Sequence, residues 1–171
     1  MTISELLLQD FNPEMASTRR LLERIPEDNP EYKPHDKSFN IGKLSMHVAT
    51  LPWFGATILT TSGMDMAAAP EKPRPDSTFR TRDIMLATFD STVNECRAAL
   101  TSASDTDLAA KWKFAFGEYV IMDAPRSQSF RVLFFNHMLH HRAQLTVYLR
   151  LLNIPVPGLY GPSADEPFVP K

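Results

Sequence analysis

Residues 135–144 read FNHMLHHRAQ, which sets three of the chain's five histidines inside a run that otherwise patterns as the middle of an apolar helix. Extended both ways, Phe130, Phe134, His137, His141, Tyr148 and Leu151 share one stripe, with Gln144 at the heptad position between His141 and Tyr148. The spacing predicts a helix from about Ser127 to Leu152. His137 and His141 then point where core residues should. Four residues apart, they differ by roughly 40° around the helix, so both imidazoles can reach one ion. His140 is turned roughly 100° from His141 and fits that ion less well.

A helix with an inward polar face needs partners, and three more helical stretches precede it. Thr2 and Glu5 stand in capping-box spacing ahead of Leu7, Phe11, Met15, Leu22 and Ile25. Asn12-Pro13 leaves open one kinked helix or two short ones. After the polar loop PEDNPEYKPHDKSFN, capped by Ser38 or Asn40, a second helix is expected over about Ile41–Thr61. Its stripe is Leu44, His47, Leu51, Phe54 and Ile58, and Pro52 should bend it just after His47. A third helix, about Thr81–Ser102, carries Leu86, Phe89, Val93, Cys96 and Leu100. Cys96 therefore reads as a small buried apolar side chain. Between the third and fourth helices, KWKFAFGEYVIMDAP alternates polar and apolar residues around Gly117-Glu118, as a short β-hairpin would. That connection is long enough to cross the end of a bundle. The fold class expected is all-α: one domain over residues 1–171, a four-helix bundle with one long crossover that carries a short hairpin.

Composition narrows the function classes. Of 171 residues, 43% are hydrophobic and 22% charged, which describes a globular chain with a core of its own. A net charge of −2 gives no reason to expect nucleic acid, whose phosphates need a clustered basic surface. No apolar run approaches the roughly 20 residues of a membrane span. One cysteine, Cys96, forms no internal disulfide, and the N-terminus has no basic region or cleavage site of a secretion signal, so a cytoplasmic protein is expected.

A lone inward histidine is most simply a core group satisfied by a hydrogen bond. Three of them, His47 on one helix and His137 with His141 on another, cost several desolvations at once, and one divalent cation would satisfy all three. H-x-x-x-H alone is a weak motif. Met138 follows His137 where a zinc protease would place glutamate, so that mechanism is not supported. His35, in the loop phrase KPHDKS, has no helical partner and reads as a surface or loop-packing residue.

Two phrases, STRRLLERIPEDNPEYKPHDKSFNIGKLSMHVATLPW and FNHMLHHRAQLTVYLRLLNIPVPGLYGPSADE, resemble bacterial proteins of the DinB family of damage-inducible-like four-helix bundles. The likeness runs over nearly the whole chain, with the histidine before LP, the H-x-x-x-H pair and the IPVP.LYGPSADE tail in order. It implies a bundle with one long crossover and a divalent metal on His47, His137 and His141. Zinc and nickel head the candidates, and iron and manganese also accept imidazole. The resemblance further implies a thiol-dependent transferase or isomerase, and a homodimer.

Three imidazoles leave coordination positions for water or substrate, which points to a metal-dependent enzyme acting on a small molecule by activating a low-molecular-weight thiol cosubstrate, as an S-transferase would, or water, as a hydrolase would. The thiol must come from outside, because Cys96 sits on a core stripe. Gln144 and Asn136 orient but do not titrate, and His140 acts only if turned toward the pocket, so no catalytic acid or base is assigned. The rival reading is a stress-response or binding module with a structural or sensory metal.

Overall fold

The computed structural model describes residues 1–167. Helix α1 (Ile3–Leu22) begins where the sequence places it: Thr2 Oγ1 accepts from the Glu5 N–H while the Glu5 carboxylate accepts from the Thr2 N–H. It runs through Pro13 as one continuous helix. Ile25 is buried beyond its end. Asn40, not Ser38, caps α2 (Ile41–Thr60), accepting from the Lys43 N–H. Pro52 lies within α2, and the helix stays unbroken around it. Helix α3 (Arg82–Ser102) is capped by Thr81, and the short α4 (Asp105–Ala109) follows with a capping box of its own, Ser104 with Asp107.

The chain departs from the all-α expectation in a three-stranded sheet, so the protein is mostly helical with a small β element. The expected hairpin is present: β2 (Lys111–Phe116) pairs antiparallel with β3 (Tyr119–Pro125). Gly117 takes its turn with φ +57°, a conformation in which a Cβ is strained. Strand β1 (Gly63–Asp65) joins β2 in parallel and was not expected. Three residues following a helix carry no alternation to read. Asp65 fixes it, its carboxylate accepting from the N–H groups of Ala67 and Gly117. The sheet is tied to α2: the Trp112 indole donates to Thr61 Oγ1, and Arg126 donates to the carbonyls of Ile58 and Thr61, supplying donors to the helix C-terminus.

The fourth helical rod has three parts, α5 (Arg126–Ser129), a π-helical segment (Phe130–Asn136) and α6 (His137–Leu151). Its buried side chains are Phe130, Phe134, Phe135, Met138, Arg142, Leu145, Tyr148 and Leu149. The stripe read from the sequence is therefore correct at Phe130, Phe134 and Tyr148 and displaced at His137, His141 and Leu151. Leu151 is 53% exposed, and His137 and His141 border the core stripe instead of lying on it. The π-turn is the cause, because an i→i+5 turn holds about one more residue than an α-turn. The core seat expected at His137 passes to Met138.

Helix α2 packs against α3 and against the π segment and α6, while α1 packs against α3 and α6. Gly55 sets the closeness of the first contact: a Cβ there would stand 2.8 Å from Phe134 Cδ1 and 2.9 Å from Cys96 Sγ. Cys96 is fully buried in this layer, as its stripe predicts, and burial pushes its thiol pKa up.

Candidate metal centre

His47 comes from the second turn of α2, and His137 and His141 from the first two turns of α6. All three are half-buried, and one ligating nitrogen of each lies within 4.8 Å of the others. His137 Nε2 is 3.5 Å from His47 Nε2 and 2.8 Å from His141 Nε2. The helical spacing that suggested a shared ion does bring these three residues together.

The remaining ring nitrogens decide the chemistry. His137 Nδ1 lies 3.2 Å from the Leu133 carbonyl, which accepts only, so Nδ1 carries the proton. The backbone N–H of His137 bonds to the Phe134 carbonyl, while its imidazole reaches the carbonyl of Leu133, four residues back. His141 Nδ1 lies 2.7 Å from Gln144 Oε1 and donates to it. With both Nδ1 atoms donating, the Nε2 atoms of neutral His137 and His141 present lone pairs to each other at 2.8 Å. Two lone pairs at that distance repel unless a cation or a proton stands between them. A proton is disfavoured, since burial lowers the pKa of both rings. His47 is pushed down to about 4, first by burial and then by the neighbouring imidazoles and Lys43. Neutral imidazoles with converging Nε2 atoms and anchored Nδ1–H groups are what a divalent metal requires of histidine. The 3.5 Å separation is close to the edge of about 3.3 Å subtended by Zn–N bonds of about 2.0–2.1 Å in a tetrahedron.

Other sequence candidates fall elsewhere. His140 is exposed, its ring 5.0 Å from that of His141 and outside the convergent group. His35 lies exposed in its loop, Nδ1 accepting from the Lys37 N–H. Asn136 is exposed, and Gln144 serves by orienting His141.

Two clefts meet at the imidazoles and share His47, His137 and Ser77. One, of about 290 Å³, is walled by Leu51, Trp53, Phe54, Met64, Met66 and Phe114, with Arg74 among its polar residues. The other, of about 330 Å³, is bounded by Phe39, Lys43 and His141. Among the described residues, neither is lined by a carboxylate. Sequence reading missed Arg74 and Ser77, because it expected only the hairpin connection to cross the site, whereas the α2–α3 loop reaches it as well. The prolines of PEKPRPDS were the available signal, since closely spaced prolines hold a chain extended.

The chain matches the DinB family over residues 1–168. It is 24% identical over 159 residues to the uncharacterized protein YrdA of Bacillus subtilis (strain 168), covering 93% of this chain and 89% of that one. Among solved structures it is similar to a DinB-like protein from Bacillus cereus ATCC 10987, with a TM-score of 0.63, 21% identity and coverage of 90% of this chain and 95% of that one. It is also similar to the DinB-like protein YjoA from Bacillus subtilis, with a TM-score of 0.64, 17% identity and coverage of 87% and 94%.

Proposed function

Because this chain belongs to the DinB family and gathers three imidazole nitrogens where two clefts meet, we propose that it is a metal-dependent enzyme of small-molecule chemistry, built on a four-helix bundle with one long crossover. His47, His137 and His141 hold the ion, zinc or nickel before iron or manganese. The observation that carries this reading is the pair of anchored Nδ1–H groups, which leave two bare Nε2 lone pairs 2.8 Å apart. A divalent ion there supplies Lewis acidity, bringing the proton affinity of a water or a thiol near neutrality.

The chain's own residues do the rest. Leu133 and Gln144 fix the orientation of two imidazoles, the depressed pKa values keep the rings neutral, and the aromatic wall limits water beside the reaction centre. With no carboxylate on either cleft among the described residues and the Cys96 thiol buried and protonated, the nucleophile is external: a low-molecular-weight thiol, or water. Transfer of that thiol to an electrophile is the reaction proposed. Two clefts opening onto one half-buried centre favour chemistry over a closed structural or sensory metal. Pairing of two copies belongs to the same proposal.

Elemental analysis of untagged protein tests it. Wild type and His140→Ala should hold one equivalent of metal, and His47→Ala, His137→Ala and His141→Ala should each lose it. Wild type that stays metal-free after reconstitution would return the histidines to hydrogen-bonded structural roles. Metal-loaded protein should then transfer a thiol to a model electrophile, and the three alanine variants should not.

A further inference from the structure

The two clefts differ in a way that assigns their occupants. The cleft of about 290 Å³ sits at the lower end of small-molecule sites, which span about 300–1,000 Å³. Phe54 and Phe114 line it 5.4 Å apart, and the buried Trp112 packs behind them, 5.9 Å from Phe54 and stacked on Phe114 at 6.0 Å. Trp53 adds a further indole and Met64 a polarizable thioether. Such walls accept a flat apolar body.

Among the described residues, Arg74 is the one charged side chain of this cleft. Asp76, two residues on, is already engaged, paired with Arg80 at 3.0 Å and accepting from the Thr78 N–H. Among the described residues, no carboxylate pairs with Arg74, and none lines the cleft. A guanidinium without a counter-ion at the rim of an aromatic slot offers a planar fork of donors matched to a carboxylate. We infer that the aromatic cleft binds an aryl carboxylate, its ring between Phe54, Phe114 and Trp53 and its carboxylate on Arg74. The second cleft, with Lys43 beside the imidazoles, is left for the thiol. This rests on the proposed function only for what reacts there, since Arg74 and the aromatic wall recognise the ligand without the ion.

Fluorine NMR with 4-(trifluoromethyl)benzoate as probe, and its neutral amide as control, tests the assignment on wild type, Arg74→Gln, Arg74→Lys and His137→Ala. Metal content is measured on every sample. The benzoate should bind wild type and weaken about tenfold in Arg74→Gln, with partial recovery in Arg74→Lys. The amide should bind all four proteins alike, which also reports an intact cleft. Retained benzoate binding by metal-free His137→Ala would separate this inference from the metal reading, whose fate the metal analysis gives independently. No benzoate binding, or equal binding to wild type and Arg74→Gln, would overturn it. So would binding that disappears with His137, because the carboxylate would then be held by the ion and not by Arg74.

Discussion

At the scale of single residues, Gln144 is the position where sequence and site meet most closely. Its place between His141 and Tyr148 was legible from the heptad, but its task, holding His141 Nδ1 at 2.7 Å, was not. A periodic pattern gives direction and says nothing of which ring nitrogen is free. Gln144→Ala should lower metal affinity roughly tenfold with little change in fold, read by competition against a chromophoric chelator. His47 makes a second prediction. Its pKa in the folded, metal-free chain is about 4, against an ordinary 6.5, so the unfolded chain binds more protons between those values. Its contribution to stability is complete above about 6.5 and is lost as pH falls toward about 4, and His137 and His141 shift in the same direction. The melting temperature of chelator-treated protein should fall over that window. A shallower fall in His47→Phe would assign the effect to His47, whereas parallel profiles would contradict it.

At the scale of elements, the π segment explains both what the sequence reading caught and what it missed. Phe130, Phe134 and Tyr148 were read correctly as core, yet the other seats beyond the π segment fall at Met138, Arg142, Leu145 and Leu149. Nothing in FRVLFFN announces a wide turn, because i→i+5 pairing has no side-chain signature comparable to a cap or a proline. The wide turn sets His137 and His141 off the core seats at the edge of the clefts, where His137 Nδ1 meets the Leu133 carbonyl. The first three helices were legible because their signals are local, with Thr2, Asn40 and Thr81 all serving as N-caps. Strand β1 was not, since its pairing with β2 depends on a partner about fifty residues away. Gly55 belongs to this scale. Gly55→Ala would press a methyl group against Phe134 and Cys96, and should destabilise by about 1–3 kcal/mol in urea unfolding despite its gain in helix propensity.

At the scale of the whole molecule, Arg142 joins the parts. Its side chain is 1% exposed and reaches the Glu14 carbonyl and Thr18 Oγ1 on α1 and the Tyr160 hydroxyl of the tail, with Glu14 Oε2 2.6 Å away as counter-ion. Arg150–Asp165 and the pairs of Arg20 and Arg24 with Glu166 fasten the same tail from outside. Sequence patterning gives no hint of this, because an arginine beside two histidines reads as surface until the π-turn brings it inward. Arg142→Ala would strand the Glu14 carboxylate and should cost about 3 kcal/mol or more, seen as a lower urea midpoint. Composition did exclude a membrane span, and among the described residues no helix is long and apolar enough to cross one. On the proposed reading, the whole scaffold holds three neutral imidazoles around one ion. Anomalous diffraction at the metal's absorption edge, from crystals of reconstituted protein, tests it most directly. A single peak is expected about 2.0–2.1 Å from the Nε2 atoms of His47, His137 and His141, with their Nδ1 atoms turned away. A peak held through Nδ1 or by His140, or no peak between α2 and α6, would contradict it.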